Sequence, residues 1–539
     1  MTDAAETAAP AETTEAESTG TGNPKLAILL AMAMFVLVVD TSFMNVSISA
    51  VVRDLGTTVS GVQSAIALEA LVSAAFILIG SKVADLIGRK IAYVIGLLGY
   101  AVGAIAMTLT QSLVPVIIFW SIVGGIGASL LLPSMQSLIH GNFEGKEQQR
   151  VYALVGASAA IAAAIGPLIG GFITTVLNWR LAFLGEAIII GVVLSGIGLV
   201  KDVKYTGSRA IDAVGGVLSV IGMGGVVLGI LAWQEGAESV AGLIVAGGLA
   251  LAGFAWWLVR QKRAGKPTLI DPDLFRSALF RLGISGQLLQ QIALGGLMIV
   301  LPIYFQMVFE YSALLAGISI APLSLSMFAI ALLAGRRAGR RRPSVVIQMG
   351  FLLLLVGVLS IIPIVPRADA GWQLALSLVL AGGGLGLLVS QLNNYTLSPI
   401  SEERVSEAAG VNSAGGSFGL SFGLAFAGAI MLATLAFSFT NMAESSAVLS
   451  PEQQQQVATV LEEDAQIMST TQLSQLVADE PPEVAAEIVR INNEARHLAL
   501  QIALLVPLIA ATLGFGVSLL MRRQPDPQPS SAAEMVLGG

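Results

Sequence analysis

The sequence contains no cysteine, which excludes a disulfide framework, a thiolate metal site and a cysteine nucleophile. Its two histidines, His140 and His497, are too few and too far apart along the chain to predict a metal site. Charged residues make up only 12% of the 539 residues, about half of the share of roughly 25% in soluble proteins. Neither a metal, a cofactor nor a nucleic-acid partner is therefore expected.

Hydrophobic residues account for 55% of the chain, and the mean hydropathy is +0.81. Values this high over such a length require apolar side chains that face lipid along most of the sequence. Fourteen runs reach the length of about 20 residues that a spanning helix needs. These runs are 26–50, 62–84, 91–111, 114–139, 151–176, 181–200, 212–233, 239–259, 282–308, 313–335, 344–366, 372–397, 408–439 and 498–521. Because backbone groups cannot stay unpaired in lipid, we predict an all-α membrane protein with fourteen transmembrane helices.

The distribution of basic residues predicts the orientation. Of the 28 Lys and Arg residues, only Arg53, Arg180, Arg367, Arg490 and Arg496 lie on one side of this arrangement, and the other 23 lie on the side of the termini. Cytoplasmic loops carry the excess of Lys and Arg, so both termini are predicted to be cytoplasmic, in a cell membrane. Residues 1–24 lack the basic start of a signal peptide and are predicted to be a disordered cytoplasmic tail, and 524–539 a second tail.

The loop 441–496 falls on the outer side and holds ten acidic residues against two arginines. Ser450-Pro451-Glu452 and Pro481-Pro482-Glu483 are typical helix starts, since proline is favoured in the first turn. Val457, Val460, Leu461 and Ile467 then recur at roughly helical spacing. This pattern predicts an external helical hairpin whose second helix continues into the last span, and an external partner could bind it. A solvated acidic linker is the alternative.

Two short motifs stand out between and within the runs. Asp85-Leu86-Ile87-Gly88-Arg89-Lys90 places a carboxylate, a turn glycine and two cations at a helix junction, where they can lock neighbouring helices in one state. Gly166-Pro167-Leu168-Ile169-Gly170-Gly171 lies in the fifth run. Its proline frees a backbone carbonyl and its glycines allow another helix to approach closely, so a bend is expected there.

These motifs resemble the signature loop and the antiporter motif of the major facilitator superfamily. Three further stretches, in the right order, are similar to its fourteen-helix drug:proton antiporters. They are Asp40-Thr41-Ser42-Phe43-Met44-Asn45-Val46, the loop 267–280 with Leu274-Phe275-Arg276, and Leu301-Pro302-Ile303-Tyr304-Phe305-Gln306 followed by Ala316-Gly317 and Pro322. The resemblance extends from about residue 26 to 523. It implies a six-helix bundle in 25–205, two inserted helices in 206–266, and a second six-helix bundle in 267–523 that includes the hairpin.

The sequence departs from the family pattern at several positions. Ser81, Leu86 and Ala162 replace expected motif residues, and Ser121 and Gly416 stand where arginines are expected. Conversely, Glu69 replaces a usual tyrosine and Glu186 a usual asparagine. The chain has lost membrane cations and gained membrane carboxylates, so the proton relay of the family cannot be transferred to it directly.

Acidic residues inside spans are costly and therefore candidates for function. Asp40 and Glu69 are expected in the outer half of the membrane as proton-coupling residues, although a structural hydrogen bond would also explain Asp40. Glu186 is a weaker candidate, expected near the surface, where it could reach water. Six uncharged residues are candidates for lining a substrate cavity, with interhelical hydrogen bonding as the alternative: Asn45, Gln136, Gln306, Gln391, Asn394 and Asn412.

Together these features predict a monomeric, proton-coupled exporter of amphiphilic or lipophilic compounds, cations among them, that works by alternating access. Its partners would be the small-molecule substrate, protons and the surrounding lipid. An exporter or flippase of an endogenous lipid or metabolite is the alternative. A membrane-embedded enzyme is less favoured, because no catalytic residues can be assigned: the sequence has no His-Glu-x-x-His motif, and neither histidine has an obvious catalytic partner.

Overall fold

The computed structural model describes residues 23–202, 212–234, 240–335, 341–400, 404–455, 473–475, 477–478 and 480–525. Within these ranges the regular structure is helical throughout, and fourteen helices are long and apolar enough to cross a membrane. Each of the fourteen hydrophobic runs coincides with one of them. The predicted all-α membrane fold with fourteen spans is confirmed.

The helices, in chain order, are α1 (Pro24–Leu55), α2 (Val59–Ile87), α3 (Arg89–Leu109), α4 (Leu113–Asn142), α5 (Gly145–Phe172), α6 (Trp179–Ser195), α7 (Ala213–Gln234), α8 (Val240–Arg263), α9 (Ala278–Met307), α10 (Ala313–Gly335), α11 (Pro343–Ile364), α12 (Ala375–Leu397), α13 (Val405–Glu444) and α14 (Pro482–Ala503, continued by Leu505–Met521).

Local sequence explains where the first helices begin and end. The Asn23 side chain accepts a hydrogen bond from the backbone N–H of Lys25 (3.0 Å), and Pro24 occupies the first turn of α1, where no N–H is needed. Gly56 ends α1 with a φ of 58°, which a residue with a side chain adopts only at a cost. The Thr58 hydroxyl then caps α2 by accepting from the N–H of Gly61 at 3.0 Å.

Two spans depart from regular α-helical geometry. Residues Val116–Gly124 of α4 form a π-helical segment, and α5 continues as a π-helical turn over Ile173–Leu177. Wider turns of this kind change the direction in which the following side chains project, and they occur often at functional sites. The first of these segments contributes Trp120 to the site described below.

The spans form two six-helix halves, α1–α6 and α9–α14, with α7 and α8 inserted between them. The halves meet along two seams, α2 against α13 and α5 against α10. Helix α7 packs on α8, α2 and α13 and therefore covers the first seam. Its buried side chains Met223, Val227, Ile230 and Leu231 join the same apolar core as both halves.

Fourteen consecutive spans return the chain to the end of the bundle at which it started. We name this the terminal end, and the opposite one the far end. At the far end α5 and α10 touch closely: a Cβ atom at Gly171 would clash with the Ala313 backbone, and one at Gly317 with the Pro167 carbonyl oxygen. Towards the terminal end the same helices leave open space, since a Cβ at Gly156 or Gly335 would meet nothing within 4 Å. The second seam is thus most tightly packed at the far end.

In the loop 441–496, α13 continues to Glu444, and α14 begins at Pro482 and leads directly into the last span. The start of α14 is tied to the end of α13, because the Ser446 hydroxyl donates to Glu487 at 2.7 Å. The predicted first helix of the hairpin falls mostly outside the described residues, as do both chain tails. Val457, Val460, Leu461 and Ile467 belong to that part.

Candidate functional site

Asp40 lies in the core of the first half, where none of its surface is exposed. The Tyr100 hydroxyl of α3 donates to its Oδ2 at 2.6 Å. The indole N–H of Trp120, in the π-helical segment of α4, donates to both carboxylate oxygens at 2.9 and 3.0 Å. A carboxylate that accepts bonds from two buried donors is well stabilised as an anion. Asp40 therefore does not line an open cavity in this conformation.

Glu186 of α6 is also buried, with 2% of its surface exposed. Its carboxyl lies beside the Asp40 carboxyl, close enough to interact with it, and neither of its oxygens accepts a hydrogen bond from another described group. The expectation that Glu186 lies near the surface and reaches water is wrong. The reason is its position in one stripe with Trp179 and Phe183, the buried face of α6, which points into the bundle.

Glu69 of α2 completes this group. It is 7% exposed, slightly more than the other two carboxyls, and it lies within electrostatic range of Asp40. All three carboxyls lie within electrostatic range of the Tyr100 hydroxyl. We name Asp40, Glu69 and Glu186 the acid cluster; within the described spans they are the acidic side chains of the membrane interior.

Aromatic rings separate the acid cluster from the far end. Trp179 packs edge-on against Phe183 with ring centroids 6.0 Å apart, and Phe183 against Trp120 at 6.4 Å. On the side of these rings towards the far end, the Trp179 indole donates to Asp54 at 2.9 Å, and Arg180 forms an ion pair with the same carboxylate. Water can therefore reach the carboxyls from this end only if these rings or the ion pair move.

The charged turn between α2 and α3 is an ion-paired corner. Asp85 and Arg89 are both buried to 7% exposure and form an ion pair with each other. Gly88 between them has a φ of 101°, a conformation that favours glycine. The N–H of Lys90 donates to Asp202 at 3.1 Å, and its ammonium to the Val200 carbonyl at 2.8 Å. The turn is thus fastened to the segment after α6, within the same half.

The antiporter motif in α5 is a surface for close helix approach. Gly166 faces Ser42 and Gly170 faces Phe43 of α1, whereas Pro167 and Gly171 face α10. One short stretch therefore joins the helix that carries Asp40 to the closed far end of the second seam.

The six uncharged candidates divide into three groups. Gln306 bridges the halves at the far end, because its side-chain oxygen accepts from the N–H of Ser49 at 3.2 Å, and Asn45 is buried one turn earlier in α1. Gln136 is exposed towards the terminal end of α4. Asn412, Gln391 and the half-buried Asn394 lie in α12 and α13, where the Asn412 amide donates to the Asn393 side chain at 2.6 Å.

Sequence reasoning missed the hydrogen-bond donors of the acid cluster, Tyr100 and Trp120. Both are aromatic residues inside apolar runs, so hydropathy alone does not distinguish them from lipid-facing rings. The available signal was that Trp120 stands next to Ser121, the position at which the sequence departs from the family pattern.

Asp271, in the loop before α9, was missed as well. It pairs with Lys262 at 2.8 Å and with Arg404 at 3.0 Å, and its own N–H donates to Glu407 at 2.7 Å. Burial by itself raises the pKa of Asp271. The bond from Lys262, the N–H of Asp273 and the charge of Arg404 outweigh that effect, and they hold the pKa below its usual value. The loop thereby links the inserted helices to α13.

Two six-helix halves that meet along two seams, with carboxyls buried inside the first half, define a multi-pass membrane protein of two packed bundles. The family model of the Major Facilitator Superfamily matches residues 30–424. The chain therefore belongs to the Major Facilitator Superfamily, and it is a transporter, not an enzyme.

Relatives agree with this assignment. The chain is 26% identical over 440 residues to the multidrug resistance protein Stp of Mycobacterium tuberculosis, which covers 81% of each chain. It is 29% identical over 411 residues to the puromycin resistance protein pur8 of Streptomyces alboniger, covering 73% of this chain and 80% of the relative. Among solved structures, a bacterial homolog of the human lysosomal transporter Spinster, in an inward-facing and unoccupied conformation, matches 94% of this chain and 99% of its own at 14% identity, with a TM-score of 0.60.

Proposed function

We propose that this protein exports amphiphilic or lipophilic compounds in exchange for protons. The acid cluster is the observation that carries the proposal. Two carboxyls that face each other in an apolar interior cannot both be charged without strong repulsion and a large desolvation cost. The pair therefore holds at least one proton, and its two sites titrate as a unit.

The hydrogen bonds support one location for the proton within the pair. Tyr100 and Trp120 donate to Asp40, which favours Asp40 as the anion, whereas Glu186 has no such donors and keeps the proton. Glu69 of α2 is the most exposed of the three, and it exchanges protons with water when the halves move apart. Loss of the proton from the pair would create a second buried charge, and the opposite conformation relieves it by admitting water.

The antiporter motif supplies the mechanical link. It packs α5 on both α1, which carries Asp40, and α10, which closes the far end. A shift of α1 on protonation therefore changes the packing of the second seam, as alternating access requires. We propose, from the excess of Lys and Arg, that the terminal end faces the cytoplasm in a cell membrane. The relatives named for multidrug and puromycin resistance support export as the direction.

The test uses inside-out membrane vesicles with an imposed proton gradient and a pH-sensitive dye. A panel of amphiphilic antibiotics is added to the vesicles, and those that the wild type exports should dissipate the proton gradient. Asp40→Asn and Glu186→Gln should abolish this response, and Glu69→Gln should slow it. Asp369→Asn, at an exposed loop carboxylate, is the matched control and should respond like the wild type. A full response in Asp40→Asn and Glu186→Gln would show that the cluster is structural and that the antiport mechanism is wrong.

A further inference from the structure

The second half carries a group of amide side chains that the acid cluster does not use. Gln287 and Gln291 lie one turn apart on α9, on the side that faces α13. They flank Gly416, where an added Cβ would lie 3.3 Å from the Gln287 amide nitrogen and 3.7 Å from Cγ of Gln291. Because α13 has no side chain at this position, the two glutamine side chains approach its backbone closely.

Two polar atoms in this region lack a protein partner. The side-chain oxygen of Gln291 is buried without a hydrogen bond among the described residues. The side-chain oxygen of Asn412, one turn before Gly416, is buried in the same way, although its nitrogen donates to Asn393. Each unsatisfied buried group costs about 1–3 kcal/mol. The unsatisfied acceptors of Gln291 and Asn412 therefore indicate a site that a hydrogen-bonding ligand completes.

The charge of this region limits the chemistry of that ligand. The carboxyls of the described membrane interior all belong to the acid cluster in the first half. Asp40 and Glu186 are engaged with each other, and their exposed fractions are 0% and 2%. Near Gln287 and Gln291 the described parts of α9, α12 and α13 contain no charged side chain. A charged ligand would lose its hydration there without gaining a counter-ion, whereas amides satisfy both donors and acceptors of a neutral one.

We propose that Gln287, Gln291 and Asn412 form the recognition site for an uncharged amphiphile that carries carbonyl and hydroxyl or amide groups. The site lies in the second half, apart from the acid cluster, so that one half exchanges protons and the other recognises the cargo. This inference rests on the proposed export function and names the substrate class.

Chloramphenicol, a neutral molecule with an amide and two hydroxyls, is the probe. Its equilibrium binding to the purified full-length protein should weaken at least about tenfold in the Gln287→Leu/Gln291→Leu variant, the loss expected for one or two hydrogen bonds. Tetraphenylphosphonium, a permanent cation, should not displace it. Gln501→Leu is the matched control, because that amide donates to the Ile362 carbonyl at 2.9 Å, outside the site. Each variant is compared after it elutes as a monodisperse species in size-exclusion chromatography.

Gly416→Leu offers a second way to test the site, since its side chain would crowd both glutamines while leaving both amides present. It should also weaken chloramphenicol binding at least about tenfold. Unchanged binding in the double Leu variant, displacement by tetraphenylphosphonium, or failure of the wild type to bind chloramphenicol would each overturn the inference. Asp40→Asn separates the two proposals. If Asp40→Asn loses proton exchange but still binds chloramphenicol in a glutamine-dependent manner, this site is supported. If the wild type exchanges protons but its chloramphenicol binding does not depend on the glutamines, only the antiport is supported.

Discussion

The tight contact between Gly317 and Pro167 yields the most direct prediction about conformation. A methyl group at position 317 would lie closer to the Pro167 carbonyl oxygen than any real contact allows, and the obstacle is backbone, which cannot rotate away. Gly317→Ala must therefore push α5 and α10 apart at the far end. Overpacking of this kind costs about 1–3 kcal/mol. Because the cost falls only on the state in which this end is closed, the equilibrium should shift roughly 5- to 150-fold towards the state in which it is open.

The absence of cysteine makes the measurement simple. A single cysteine introduced as Ala313→Cys is buried at the closed seam, with 8% of the native side chain exposed. Its rate of reaction with a membrane-impermeant maleimide reports opening of the far end. Gly317→Ala should raise that rate by the same roughly 5- to 150-fold.

Gly335→Ala is the matched control for the same helix, since a Cβ there meets nothing within 4 Å. It should leave the labelling rate unchanged. If Gly317→Ala labels at the rate of the parent, or if Gly335→Ala accelerates labelling equally, then the close packing at Gly317 does not keep the far end closed.

Three further predictions concern single polar contacts. Asp85→Asn removes the negative charge that pairs with buried Arg89. It should slow transport by roughly tenfold in a protein that still inserts and folds, and wild-type turnover would contradict a role of this turn in switching. Tyr100→Phe should lower the free energy of unfolding by about 1.5–3 kcal/mol in a thermal-unfolding assay, because it removes a hydrogen bond to a buried carboxylate. Tyr93→Phe is the control: it removes a buried hydroxyl that has no hydrogen-bond partner among the described residues, and it should be neutral or stabilising in the same assay. Asp271→Asn should lower the midpoint of thermal unfolding at pH 7. The pKa of Asp271 in the folded protein is held below its ordinary value, so the stabilisation by this carboxylate is fully present above the ordinary pKa. It is lost as the pH falls through the lower pKa of the folded state. A difference in unfolding midpoint between wild type and Asp271→Asn that persists undiminished in strong acid would refute the ion-pair explanation.

The sequence alone was enough to predict the class, the number of spans and their positions. This is so because the cost of exposing backbone and polar groups to lipid acts on every residue of a span, and it leaves a signal that accumulates over about 20 residues. The motifs were also visible, since Gly88 and Gly171 are required by the backbone conformation or by close helix approach at single positions. For Gly88 the left-handed φ of 101° shows the requirement directly.

The tertiary structure alone decided which polar side chains meet. Hydropathy records how far along a span a residue lies but not which way it points, so Glu186 was expected near the surface and instead faces Asp40. The direction of Trp120 depends on a π-helical segment, whose altered register no periodic pattern in the sequence revealed. Likewise Gln287 and Gln291 became a candidate site only because α13 presents Gly416 opposite them. Contacts between distant helices depend on the rotation of each helix about its own axis, which is set by packing against all its neighbours at once and is therefore not encoded in any one span.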